Sequence, residues 1–179
     1  PATPDEIWCC EHPPVYTRGR RSQPGELPMD AGWYADRGIE IVDVDRGGKV
    51  TYHGPGQLVL YPVCRVTDVK SFVCSLERAM VKALEAESIE ARGRSREGIE
   101  HTGAWVEDRK IGSIGLHVSH GITTHGLSLN VDCDLEPFSW IVPCGLPDAQ
   151  MTSIAAEGHD ADLGRVRAAL LDALAAELG

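Results

Sequence analysis

The stretch QLVLYPVCRVTDVKSFVCSLERAMVKALEAES, Gln57 to Ser88, changes its rhythm at Asp68. Before that residue, Leu58, Val59, Leu60, Tyr61 and Val63 form a short run of β-branched, aliphatic and aromatic residues, the composition of a strand. After it, Val69, Phe72, Val73, Leu76, Met80, Ala83 and Leu84 recur at intervals of three and four, which predicts an amphipathic helix with Asp68 as its N-cap. The charges between them, Lys70, Glu77, Arg78, Lys82 and Glu85, then fall on a solvated face.

Upstream, EIWCC (6–10), IEIVDV (39–44) and KVTY (49–52) read as further strands, and the segment between the first two reads as a Pro/Gly loop too rich in breakers for a helix. Downstream, GAWVEDRKIGSIGLHV (103–118) reads as two strands around the turn Glu107-Asp108-Arg109, and THGLSLNVDC (124–133) as a third. DLEPFSWIVPCGLPDAQMTSIA (134–155) has no period, and LGRVRAALLDALAAEL (163–178) closes the chain as an Ala/Leu helix. Strands in groups with two separated helices predict an α+β fold, and a length of 179 residues predicts a single domain over 1–179.

Composition narrows the function classes. No apolar run reaches the roughly 20 residues of a membrane span, so no membrane partner is expected. The N-terminal PATPDEIWCCEH lacks the basic start and apolar centre of a secretory signal, and the six cysteines form no CxxC pair, which together favour a reducing, cytoplasmic setting. A formal charge of −10 argues against nucleic acid, whose phosphates demand clustered Lys and Arg. An acidic partner needs a local basic patch, for which Arg18, Arg20 and Arg21 or Arg92, Arg94 and Arg96 are the candidates.

RGGKVTYHGPGQ, Arg46 to Gln57, is the most concentrated run of turn residues beside a histidine. It fits neither the phosphate-loop template, which needs Lys then Ser or Thr after its last glycine, nor a GxGxxG opening a helix. Two readings remain: a hairpin with structural glycines in which His53 packs locally, or a pocket wall in which glycines let a ligand approach the backbone. Cys144 in PCGLP differs from the five other cysteines, which read as small core residues. Its breaker neighbours place the sulfur in a turn, where a nearby cation could activate it. Lys110, in RKIGSIG after a hairpin turn, is one such cation or a plain surface lysine. His117, His120 and His125 carry no tight metal-ligand pairing, and strand alternation puts His117 and His120 on opposite faces, so no metal is assigned.

Four segments in order, DRGGKVTYHGPGQLVLYPV, GAWVEDRKIGSIGLHV, THGLSLNV and PCGL with MTSI, resemble the lipoyl(octanoyl) transferase family, also called lipoate-protein ligase B, over essentially the whole chain. The resemblance implies a mixed β-sheet with packed helices, similar to the biotin and lipoate ligase catalytic domain. It implies transfer of an octanoyl group from acyl carrier protein to a lysine of lipoyl domains, in 2-oxoacid dehydrogenase complexes or the glycine cleavage H protein, through a cysteine thioester and with no cofactor. By motif, the thioester cysteine is Cys144 and the lysine beside it Lys110. Substrate binding falls to Arg46, Gly47, Gly48, Lys49, Val50, Thr51, Tyr52 and His53, to Ser113, Ile114 and Gly115, and to Gly126, Leu127 and Ser128.

Two departures accompany it. Family chains carry several tens of residues before the EIW strand, so an N-terminal segment is expected to be missing; and Leu127 stands where the family often has an aromatic residue, which implies a changed chain-length preference. The rival readings are an ATP-dependent lipoate or biotin ligase, a non-catalytic lipoyl-domain binding module, and a cysteine hydrolase using His53 or His125.

Overall fold

The computed structural model describes residues 5–142 and 149–179. Among them, strands β1 (Glu6–Cys10), β2 (Val15–Arg18), β3 (Glu40–Asp43), β4 (Thr51–His53), β5 (Gln57–Val63), β6 (Arg92–Gly93), β7 (Gly103–Val106), β8 (Arg109–Ser119), β9 (Ile122–Asn130) and β10 (Gln150–Met151) accompany helices α1 (Ala31–Ala35), α2 (Val69–Ala86) and α3 (Leu163–Leu178). The larger sheet runs β1-β5-β9-β8-β7-β6, with β10 parallel to β8; the smaller runs β3-β2-β4, with β2 and β3 parallel and β4 antiparallel. The fold is α+β with mixed sheets.

Helices α2 and α3 cover one face of the larger sheet because the strand period there meets the helix period. Leu58 and Leu60 of β5, Ile111 of β8 and Leu129 of β9 bury against Leu76, Met80 and Leu84 of α2 and Leu170 and Leu174 of α3. The predicted cap holds: Asp68 accepts from Lys70 N at 3.0 Å and Ser71 N at 3.3 Å, which satisfies two amides at the start of α2. A second core lies on the far side of the smaller sheet, where Tyr16, Tyr34, Val50, Tyr52, Phe138 and Ile141 pack together.

Three local expectations are corrected. The Pro/Gly loop between the first two predicted strands contains β2 and the short α1, capped by Asp30; its breakers flank these elements, and sheet pairing with β3 and β4 outweighs local composition. Glu77 is not on a solvated face but only 5% exposed, accepting from Ser95 N and Gly103 N, both at 2.9 Å, so a carboxylate supplies the partners those buried amides need. RGGKVTYHGPGQ does not close a hairpin. After Gly54-Pro55-Gly56 the chain leaves the smaller sheet, which holds β4, and enters the larger one as β5.

Candidate active site

The two sheets enclose a cavity of about 850 Å³, inside the roughly 300–1,000 Å³ of small-molecule sites. Side-chain alternation decides what faces it. On β2, Val15 and Thr17 point inward while Tyr16 enters the second core; on β4, Thr51 and His53 point inward while Tyr52 does the same. Val50 also belongs to that core. Of the stretch Arg46 to His53, therefore, all but Val50 and Tyr52 line the cavity.

The loop Arg46–Lys49 is fastened across the cavity by backbone. Gly47 N donates to Leu116 O at 2.8 Å, and Arg20 N and Arg21 N donate to Arg46 O and Gly48 O, both at 3.0 Å. A side chain at Gly47 would begin 3.0 Å from Leu116 O, so glycine permits this close approach. Arg46, nearly buried, donates through Nη2 to Thr17 O at 2.6 Å and through Nε to Thr17 Oγ1 at 3.1 Å, tying the loop to β2. The opposite wall is the β8/β9 pairing, in which Ile114, Gly115 and Leu116 face Leu127, Gly126 and His125; Ser113 and Ser128 line it too.

Lys110 lines the same cavity and is only 2% exposed. Its Nζ lies 5.3 Å from the centre of the Trp105 ring, within cation–π reach. Its backbone is gripped on both sides: β7 pairs with it through Trp105, and β10 places Met151 opposite it, with Thr152 N donating to Lys110 O at 2.9 Å. Cys144 lies outside the described residues. The chain on either side is anchored, because Ile141 is buried in the second core and Val142 N donates to Glu26 O at 3.0 Å, while Gln150 and Met151 pair with Arg109 and Lys110.

His53 has a defined tautomer. Gln57 Nε2 donates to Tyr52 O at 3.3 Å and to Asn130 Oδ1 at 2.8 Å, so Gln57 Oε1 must accept from His53 Nδ1 at 2.6 Å. The neutral ring then keeps Nε2 as an acceptor. Burial pushes the pKa of His53 down to about 4, so the ring is uncharged at neutral pH. Asn130 Nδ2 continues the chain to Thr152 O at 2.9 Å, linking the histidine to the strand beside Lys110.

Other lining groups come from segments whose patterns gave no functional signal: His12, Val42, Val44, and Val73 and Cys74 of α2; Tyr61, in the first motif segment, lines the cavity without having been singled out. His12 Nε2 and Tyr61 Oη lie 2.6 Å apart. His125 bonds Asp45 at 2.6 Å and holds its carboxyl below the usual range, with His117 Nε2 3.6 Å from the other oxygen. His120 is not part of that cluster, and no group of three such side chains among the described residues could hold a metal ion.

The family model for the lipoyl protein ligase A/B catalytic domain matches residues 1–175. An octanoyltransferase of Mycobacterium ulcerans (strain Agy99) is 46% identical over 180 residues, covering 96% of this chain and 74% of its own. One of Mycolicibacterium smegmatis is 45% identical over 190 residues, covering 96% and 76%. The fold is shared with lipoate-protein ligase A bound with ATP (TM-score 0.81, 18% identity, 97% of this chain and 72% of that one). A biotin protein ligase of Aquifex aeolicus shares it more loosely (TM-score 0.58, 14% identity, 90% and 69%). With three of the four motif segments lining one cavity and the family model spanning almost the whole length, the chain belongs to the lipoyl protein ligase A/B catalytic domain family.

Proposed function

We propose that this protein is an octanoyltransferase that moves an octanoyl group from acyl carrier protein to a lysine of lipoyl domains, those of 2-oxoacid dehydrogenase complexes and of the glycine cleavage H protein, through a thioester on Cys144. The observation that carries the reading is the cavity itself. Its walls include the segments that resemble the acyl-binding motifs, and buried Lys110 sits in it beside the strand that follows the Cys144 segment. Relatives at 45–46% identity carry the name octanoyltransferase.

The chemistry follows from these groups. Lys110 takes up the Cys144 thiol proton, and the thiolate attacks the octanoyl carbonyl carbon; the carbon–sulfur bond to the carrier breaks and the carrier leaves as a thiol, protonated by Lys110. The acceptor lysine, as a neutral amine, then attacks the Cys144 thioester. An amide forms, the second carbon–sulfur bond breaks, and the amine's proton passes through Lys110 to the Cys144 sulfur. Because the donor is already a thioester, no ATP is consumed. Valines 15, 42, 44 and 59 with Ile114, Leu116 and Leu127 offer the alkyl tail an apolar lining. About seven apolar carbons at roughly 0.8 kcal/mol each put an upper limit near 5–6 kcal/mol on what their burial contributes.

Incubating the chain with octanoyl-acyl carrier protein and a lipoyl domain, without ATP, is expected to add one octanoyl mass to the domain. Modification that appears only with free octanoate and ATP would instead make the protein a ligase.

A further inference from the structure

Nine of the 17 Lys and Arg side chains of this acidic protein lie within 4.0 Å of a carboxylate among the described residues. Arg18 pairs with Asp43 at 2.7 Å, Arg21 with Glu100 at 3.2 Å and Lys49 with Glu26 at 3.6 Å, so two of the three arginines singled out in TRGRRSQPGE have their charge compensated locally. Lys70 and Arg96 differ. Both are exposed, both line the cavity, and among the described residues neither has a carboxylate within the 4.0 Å of an ion pair. Beside them in the chain and in the cavity lining stand Val69 and Ile99, 43% and 65% exposed. Together with Trp8 and Met29 these are the exposed large apolar side chains among the described residues, so half of them line the cavity.

We infer that the mouth framed by Val69, Lys70, Arg96 and Ile99 is the docking surface for the donor, an acidic acyl-carrier domain whose thioester arm is joined to it by a phosphodiester. The inference rests on the octanoyl-transfer reading. A chain with a formal charge of −10 repels an acidic partner at long range, so attraction has to come from local cations that are not held in ion pairs. Those cations stand where the arm must enter. An ammonium and a guanidinium match a phosphodiester at the arm's base, and flanking apolar side chains supply the water-excluded contact that lets such charges count. The acceptor domain presents a lysine and no phosphodiester arm, so two cations outside ion pairs match the donor and favour it as occupant.

The test compares wild type with the Lys70→Glu/Arg96→Glu pair on two donors, octanoyl-acyl carrier protein and octanoyl-pantetheine, which has neither protein nor phosphate. The expected result is a fall of about tenfold or more in the ratio of kcat/KM for the carrier to that for octanoyl-pantetheine, arising in KM, with a flattened salt dependence. The milder Lys70→Gln/Arg96→Gln pair should fall in between, which a folding defect would not produce. An active wild type with an unchanged ratio, or a loss that appears in the acceptor's KM instead, overturns the docking surface alone. A wild type inert towards both donors overturns the transfer reading and this surface with it.

Discussion

Lys110→Ala is expected to lower octanoyl transfer by about 10²–10⁴-fold, the usual range for removing a general acid–base group. Both half-reactions depend on that nitrogen in the proposed cycle: it takes the thiol proton in the first and the amine proton in the second. The side chain is buried against Trp105, so alanine also empties space, and Lys110→Met is the informative partner because it keeps the length and apolar stem without the proton acceptor. Single-turnover mixing separates the steps: acylation of the enzyme and aminolysis of the acyl-enzyme should slow in both variants, with Lys110→Met unfolding near the wild-type denaturant midpoint. A loss under tenfold in a folded Lys110→Met would remove Lys110 from the chemistry. Arginine should not restore activity, since a guanidinium cannot act as a base near neutral pH.

Gly126→Ala should cost about 3 kcal/mol of stability. Gly126 pairs with Gly115 across β8 and β9, and an added Cβ would begin 2.0 Å from Leu60 O and 2.6 Å from Pro62 Cδ. The first is backbone of the neighbouring strand β5, which cannot swing aside as a flexible side chain can, so the β5/β9 pairing must open. The same strands support the cavity wall at Leu127 and Ser128, so activity should fall together with stability. Urea titration reads the effect; a midpoint within 0.3 M of wild type, corresponding to less than about 1 kcal/mol at ordinary slopes, would contradict this geometry.

The helices were legible because their apolar spacing is long and regular: Val69 to Leu84 spells α2, and LGRVRAALLDALAAEL spells α3 to the residue. Strand β5 was equally clear. What could not be read locally depends on partners distant in the chain. Val15–Arg18 forms a strand because β3 and β4 pair with it, not because VYTR stands out between proline and glycine. The burial of Glu77 follows from amides 18 and 26 residues further on.

The site divides in the same way. The Gly-rich stretch, the Ser113 and Gly126 segments and Lys110 meet in one cavity, as their resemblance to acyl-binding motifs implies they should. A contiguous motif cannot, however, distinguish its inward from its outward residues. Strand alternation sends Tyr52 into the second core, with Val50 alongside it, while Thr51 and His53 turn to the cavity. Gln57 looked like the first residue of a strand; its role in setting the His53 tautomer emerges only where β5 lies beside Asn130.

The most direct measurement is the intact mass of the protein after brief exposure to octanoyl-acyl carrier protein with no acceptor present. A gain of one octanoyl mass that hydroxylamine removes, that Cys144→Ala lacks, and that passes to a lipoyl domain added afterwards is the expected result. An octanoylated lipoyl domain formed at full rate by Cys144→Ala, with no acyl-enzyme at any time, would contradict the thioester mechanism.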